Sequence, residues 1–403
     1  MTGPLPAERT TAFAGLGARL LRFGFDPDTG LLSDEGETAL PARLRSAFAH
    51  PRLPVLYAAC GDGGAAPGER PYWLAACARG EDGGLGLLGE PVRLLSRPID
   101  VTVDPAGDHV LIAYSAGPGL TVHRLRENGM IGPQLPVSGA PDWGSVPHQV
   151  RVLPECGLAV IVARGMPGFG SARYVEGALR LARFSGGVIE AAGSVAPAEA
   201  AAMGGFNPRN IAFHPAFPRA YVTLEGQNRL CQFELTAGLP CAHPVKALEM
   251  LTDRADLRER QVAGTLAVHP SGRFVYAANR NDGYLGGHSG PSWETPDPVP
   301  VFPGGENGIA GYRLSADGRL EERIQNVPSG GLHPRTFAID PSGRWLVVGN
   351  YAPSLMPLGD RIAPVAAGFV IFAIGEDGIL RVHGRHDIAA GRERIWWSGL
   401  AAF

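Results

Sequence analysis

PRTFAIDPSGRWLVVGN (334–350) is the stretch on which the reading of this chain turns. An alternating run framed by two prolines is followed by the tight turn SGR, and then by a run rich in β-branched and aromatic residues. That is the pattern of two antiparallel strands joined by a hairpin. The template recurs in PIDVTVDP (98–105), PHQVRVLP (147–154), PRNIAFHP (208–215) and AGTLAVHP (263–270), and LRSAFAHP (44–51) keeps its ending. Each copy leads through a turn into VLYAAC, HVLIAY, LAVIVA, RAYVTL, FVYAAN or WLVVGN. Third strands are expected at LTVHRL (120–125), LRLARF (179–184), LCQFEL (230–235), IAGYRL (309–314) and FVIFAI (369–374), most of them running into glycine turns such as ENG, ADG and EDG.

The repeat unit is therefore a four-stranded antiparallel meander. Its closing prolines stand at 51, 105, 154, 215, 270 and 341, a spacing longer than that of WD40 repeats, and no WD signature accompanies them. Four-stranded sheets repeated around an axis make an all-β propeller. Six copies are explicit, and the chain ends supply a seventh. TAFAGLGARLLRFGFDPDTGLL (11–32) offers strands with no inner strand before them, and IWWSGLAAF (395–403) offers an inner strand with none after it. The expectation is a seven-bladed β-propeller, one domain over 1–403, its last blade shared by about 10–37 and 395–403, so that no open sheet edge remains.

Composition limits the function classes. Hydrophobic residues at 45% and charged residues at 19% exclude a disordered chain, and 56 glycines with 36 prolines suit many tight turns. A net charge of −3 without a polybasic stripe argues against nucleic-acid and membrane partners, and Lys246 is the only lysine among the cations. Cys60, Cys77, Cys156, Cys231 and Cys241 are too scattered for a disulfide framework or a metal knuckle. With no leader pattern and no long apolar run, the expectation is a soluble cytoplasmic protein. No phosphate-binding glycine motif precedes a helix, so no nucleotide cofactor is implied.

The proline register also locates a site. Inner strands start at Arg45, Ile99, His148, Arg209, Gly264 and Arg335, and second strands end at Gly61, Ser115, Arg164, Glu225, Arg280 and Tyr351. Antiparallel pairing brings both columns to one face. Five arginines, a histidine and a glutamate then converge on one mouth, with His333 two residues before Arg335 and in reach of it. A metal is not expected there, because hard cations want several converging oxygens and the columns offer Glu225 among arginines. The long segments 281–308 and 351–368 leave on the same face and are expected to act as lids, with Tyr284, Trp293 and Met356 over the substrate.

On PHQVRVLP, NPRNIAFHP, HPSGRFVYAANR and HPRTFAIDPSGRWLVVGN, the chain resembles the seven-bladed propeller lactonases, which include 6-phosphogluconolactonase and 3-carboxy-cis,cis-muconate cyclase. The resemblance covers nearly the whole chain. It implies catalytic roles for His148, Arg209, Glu225 and Arg280, and the chain departs from the muconate cyclase pattern at Val146, Asn210 and Leu224. A lactone carbonyl attacked by water becomes an oxyanion, which Arg209 or Arg280 can stabilise. His148 suits general acid–base work, and Glu225 suits either orienting it or acting as a second base. Arg335, Arg164, Arg45, Tyr351 and His333 are left to bind the substrate's anionic group. The function implied is a metal-independent lactonase acting on a small anionic sugar-acid or phosphosugar lactone. The alternatives are a cycloisomerase interconverting a muconate-type acid and its lactone, and a noncatalytic propeller that binds a ligand or a protein.

Overall fold

Each proline-framed repeat forms one antiparallel sheet, and seven such sheets stand around a common axis. In this computed structural model the described residues are 10–402, excepting 63–70, 81–82, 138, 140, 154–155, 167, 169–172, 198–203, 254–259 and 282–293. The innermost strands of blades 1 to 7 are Leu44–Ala49, Pro98–Val103, Pro147–Leu153, Pro208–Phe213, Gln261–Val268, Leu332–Ile339 and Ile395–Ala402. Each touches the next, and the seventh touches the first.

The closing blade is built from both chain ends. Ile395–Ala402 pairs antiparallel with Thr10–Leu16, from Thr10 opposite Ala402 to Leu16 opposite Ile395. Arg19–Phe25 and Leu32–Ala39 complete the sheet outward. The fourth strand is split in blades 1 and 4, where Leu85–Leu87 with Val92–Leu94, and Leu239–Pro240 with Lys246–Glu249, share the outer edge. One segment differs from its sequence reading. Residues 351–368 do not form an open loop, because Ser354–Leu358 and Arg361–Val365 pair as a hairpin between the second and third strands of blade 6.

Second strands read as continuous apolar runs because both their faces are covered. In His109–Tyr114, Val110, Ile112 and Tyr114 pack with Tyr57 and Leu74 of blade 1, while Leu111 and Ala113 pack with Val150 and Ile161 of blade 3. Every pair of adjacent blades encloses a core of this kind. Two sets of hydrogen bonds stitch the same boundaries. Tyr57, Tyr221 and Tyr276 donate to the carbonyls of Gly129 (2.7 Å), Gly318 (2.5 Å) and Gly378 (2.8 Å) in the outer turn of the following blade.

The histidines that precede closing prolines form the second set. The Nδ1 atom of His50 accepts from the Arg52 and Leu53 amides, which leaves Nε2 to donate to the Gly107 carbonyl of blade 2 at 2.9 Å. His214 and His269 reach Gly272 and Gly343 in the same way. Gly107 has no substitute, since its φ is +74° and a Cβ there would lie 2.6 Å from the His50 ring. Where aspartate replaces the histidine it caps its own turn, as Asp104 does for the Asp108 and His109 amides.

Removing residues 395–403 exposes the inner-strand faces of blades 1 and 6 and the edge of Thr10–Leu16. The expected result is a Tm lowered by at least about 10 °C, or loss of a cooperative transition, in thermal unfolding followed by circular dichroism. A truncated chain melting like the full one would show that the ring does not depend on this pairing.

Candidate functional site

The inner-strand ladder slips once in every blade. In blade 3, Pro147 pairs with Ala163 and Gln149 with Val162, so His148 is an extra residue with no partner across the ladder. Arg45, Ile99, Arg209 and Arg335 are extra in the same way in blades 1, 2, 4 and 6, and Trp396 in blade 7. Blade 5 slips over Gly264–Thr265. A bulge bends its strand and re-aims the added side chain. The inner-strand column expected from the proline register is therefore a row of bulged positions, produced by a break in the pleat.

These residues open onto a channel cavity of about 1080 Å³. All nine residues singled out from the sequence, His148, Glu225, Arg209, Arg280, Arg335, Arg164, Arg45, Tyr351 and His333, line it. Gly61 and Gly264, which sit in the same columns, are not among its described lining. Sequence reasoning missed Arg97, Arg260, Arg394 and Trp396. Arg97 and Arg260 stand just outside the innermost strands, one residue before Pro98 and Gln261, and blade 7 has no closing proline to set its register. Ten arginines and four carboxylates are among the described lining residues, so the described wall is cationic although the chain is not.

Blades 3 to 5 carry a cluster centred on Glu225, which follows the strand Arg219–Leu224 and is 3% exposed. Its Oε2 accepts from Arg164 Nη1 at 2.8 Å, and its Oε1 accepts from Arg280 Nη2 at 3.0 Å and from Arg209 Nη1. Burial alone would raise this carboxyl. The charges of Arg209, Arg164 and Arg280 outweigh burial and hold it far below the usual carboxylate range. Burial, then the charge of Arg280, brings Arg209 down to about 9, which leaves it charged at neutral pH.

His148 faces this cluster half-buried. Burial, followed by the charges of Arg209 and Arg164, pushes its imidazole well below the ordinary 6.5, so it is neutral at pH 7. Its Nδ1 is buried and makes no hydrogen bond. Both Glu225 oxygens are engaged by guanidiniums, so the structure gives Glu225 the task of fixing three arginines. A carboxylate held so low is a poor base, which speaks against the expected role as a second base, and His148 Nδ1 makes no hydrogen bond to it, which speaks against the expected role of orienting His148.

His333 supports the same cluster from blade 6. Its Nε2 lies 3.1 Å from Arg280 Nη1, and burial with the nearby arginines keeps its ring neutral, so Nε2 accepts from the guanidinium. It holds a left-handed φ of 55° just before Pro334, and its amide donates to Asn307 Oδ1 at 2.9 Å. Asn307 belongs to the 281–308 segment. Tyr284 and Trp293 lie outside the described residues, but 294–307 is packed wall. Thr295 N donates to the Arg392 carbonyl at 2.7 Å, and buried Phe302 bonds Leu355 through its amide at 2.7 Å. Met356 packs against the core of Phe302, Leu332 and Tyr351 and is not part of the described cavity lining.

The rest of the wall belongs to blades 6, 7, 1 and 2. The Arg335 and Arg45 guanidiniums lie 4.4 and 4.7 Å from the Trp396 ring centre, and that of Arg394 lies 5.4 Å from Tyr351. Asp100 beneath them is taken up by Arg151 at 2.7 Å. Among the described residues no three His, Cys, Asp or Glu side chains converge in a way that could hold a metal ion.

Over residues 9–355 the chain matches the family described as Lactonase, 7-bladed beta-propeller. It belongs to that family. The 6-phosphogluconolactonase of Bacillus subtilis is 26% identical over 273 residues, 66% of each chain. That of Cronobacter sakazakii is 27% identical over 201 residues, 50% of this chain and 48% of that protein. The chain thus matches just under two thirds of the first relative and about half of the second. The Pseudomonas aeruginosa periplasmic gluconolactonase shares the fold with a TM-score of 0.70 at 16% identity, covering 96% of this chain and 98% of its own. A Lactobacillus plantarum protein has the same TM-score and identity, covering 98% and 99%. Among the described residues of this lactonase-family chain, no helix is long and apolar enough to cross a membrane.

Glu225→Gln leaves three guanidiniums around a neutral amide, and the expected loss is about 3–5 kcal/mol in chemical denaturation at pH 7. The wild-type contribution of this carboxylate is fully present above its unfolded value, near ~4.3, and fades as pH falls toward the much lower folded value. Between about pH 5 and 3 the stability gap between the two proteins should therefore narrow. A constant gap would contradict the depressed carboxyl.

Proposed function

We propose that this protein is a metal-independent lactonase that hydrolyses a small anionic lactone of the sugar-acid or phosphosugar type. One observation carries the reading: the His148 imidazole lines the same cavity as three guanidiniums that a single buried carboxylate holds in place. The names of the curated relatives agree with it.

In this reading the lactone carbonyl sits against Arg209 and Arg280, with a water between the carbonyl carbon and His148. His148 takes a proton from the water as it attacks, and the tetrahedral oxyanion is held by guanidinium N–H donors that need no reorganisation. Collapse breaks the ring C–O bond. The departing alkoxide takes the proton back from His148, and the new carboxyl group loses its proton to solvent, so that the product is a hydroxy acid whose carboxylate stays among the arginines. Glu225 fixes the angle of the donors and takes no proton. The cluster carries three positive charges against one negative, which favours an oxyanion over the neutral ground state.

The arginine excess suits di- and tricarboxylates as well, so the same assay should include a muconate. Ring opening of 6-phosphogluconolactone and gluconolactone, and ring closure of 3-carboxymuconate, would be followed with and without EDTA. Catalysed ring opening unaffected by EDTA is expected. Ring closure alone would replace the lactonase reading with the cycloisomerase, and no acceleration of any substrate would leave a binding propeller.

Two further outcomes bear on His148. His148→Asn should lower kcat at least about 100-fold. Because the imidazole is depressed below 6.5 and acts as a base, activity should be flat from pH 7 to 6 and fall only at lower pH. A half-point at or above 6.5 would assign the base elsewhere.

A further inference from the structure

We propose that Asn307 is a positioning residue for Arg280: its side-chain oxygen ties together the two backbone segments that bring Arg280 and His333 into contact. The inference rests on the lactonase reading for the role of Arg280 at the carbonyl, whereas the linkage itself stands on geometry. Asn307 is not among the described lining of the cavity, so it acts through other residues.

Asn307 is buried and stands just before Gly308–Leu314, the third strand of blade 5. Its Oδ1 accepts from the Asn281 amide at 3.0 Å and from the His333 amide at 2.9 Å. Two N–H donors converge on this one atom, which identifies it as the oxygen of the side-chain amide. Asn281 follows Arg280 and ends Phe274–Asn281 of blade 5, and His333 is the second residue of Leu332–Ile339 in blade 6. The oxygen therefore bridges two blades at the point where His333 Nε2 accepts from Arg280 Nη1 at 3.1 Å. The other arm of the guanidinium, Nη2, reaches Glu225 Oε1 at 3.0 Å. Contacts thus run from Asn307 through His333 and Arg280 to the centre of the cluster.

The direction of the His333 ring depends on its backbone. A histidine is commonly oriented by a hydrogen bond at its second nitrogen, but Nδ1 here makes none. What remains is Tyr351, with its ring centre 5.1 Å away, and the main chain. That main chain is left-handed, with φ 55° directly before Pro334, a combination that an unrestrained chain avoids. The hydrogen bond from the His333 amide to Asn307 holds it there. Asn307 can serve as a fixed point because it is held in turn. Its carbonyl accepts from the Ser329 amide at 2.9 Å. The preceding Glu306 is gripped by the Gln261 side chain, which accepts from its amide at 2.8 Å and donates to its carbonyl at 2.9 Å. A donor aimed at an oxyanion acts through its angle and distance, so a small rotation of Arg280 lowers the rate more than the affinity.

Leucine shares the branching of asparagine but has no acceptor, whereas aspartate keeps the acceptor. The Nδ2 that aspartate gives up makes no hydrogen bond in the wild type. Opening of 6-phosphogluconolactone and of gluconolactone would be measured in wild type, Asn307→Leu and Asn307→Asp, with folding checked by circular dichroism. The expected result is a kcat lowered at least about tenfold in Asn307→Leu with KM within about threefold of wild type, and most of the loss recovered in Asn307→Asp. Should the leucine variant fail to fold, Asn307→Ala removes the same oxygen with a smaller side chain. A second readout needs no turnover. Isotopically labelled ring nitrogens of His333, assigned in NMR spectra by their loss in His333→Phe, should shift in Asn307→Leu and keep their wild-type positions in Asn307→Asp. Unchanged kcat or unmoved ring signals in Asn307→Leu, a loss confined to KM, or equal losses in the leucine and aspartate variants overturns the positioning role and leaves lactone hydrolysis in place. Ring signals that respond as expected in a protein that opens no lactone would overturn the lactonase reading and leave the linkage through His333 standing.

Discussion

A sheet whose two faces are both apolar is stable only between two neighbours, and a row of such sheets has no end until it closes. Here the closure is one strand pairing, Thr10–Leu16 against Ile395–Ala402. It completes the seventh blade and covers the faces of blades 1 and 6. It also places Trp396 in the channel, so the closure that stabilises the ring supplies part of the site. The tyrosine and histidine stitches between blades then fix how neighbouring sheets sit, and with them the distances across the cavity.

Within that frame the site depends on breaking the sheet's own rule. Regular alternation would send consecutive side chains to opposite faces, towards the neighbouring blades. One added residue per inner strand leaves the ladder and turns inward. The cost is a lost rung next to the axis, where the strands already converge. The gain is a ring of side chains whose chemistry can vary from blade to blade without disturbing the cores between blades.

The electrostatics of the cluster in blades 3 to 5 follow from three arginines meeting at one carboxylate. Glu225 is ionised because three cations surround it, and the cations are tolerable together because Glu225 lies between them. Burial, reinforced by the charges of Arg209 and Arg164, keeps His148 neutral, which is the state a general base requires. Arginine suits this environment better than lysine, since its charge survives burial and its planar fork can be fixed by carbonyls, carboxylates and rings.

The fold was legible in the sequence because its cause is local. Proline frames, glycine turns and apolar second strands repeat in register, and the two orphan ends could only complete one blade. The same register marked His148, Arg209, Glu225 and Arg280, because residues at the ends of paired strands share a rim whatever the details. Four things were not legible. That the rim positions are bulges depends on pairing partners in another strand. That Glu225 is engaged by arginines from blades 3, 4 and 5, and so is unfit as a base, depends on residues far apart in sequence meeting at the axis. Arg97, Arg394 and Trp396 lay outside the repeat's register, and the packing of 294–307 and of the 354–365 hairpin came from contacts with other blades. Short-range pattern determined which strands form and in what order; the tertiary structure decided which side chains share a cavity and what charge each one carries there, because both depend on neighbours that the ring brings together.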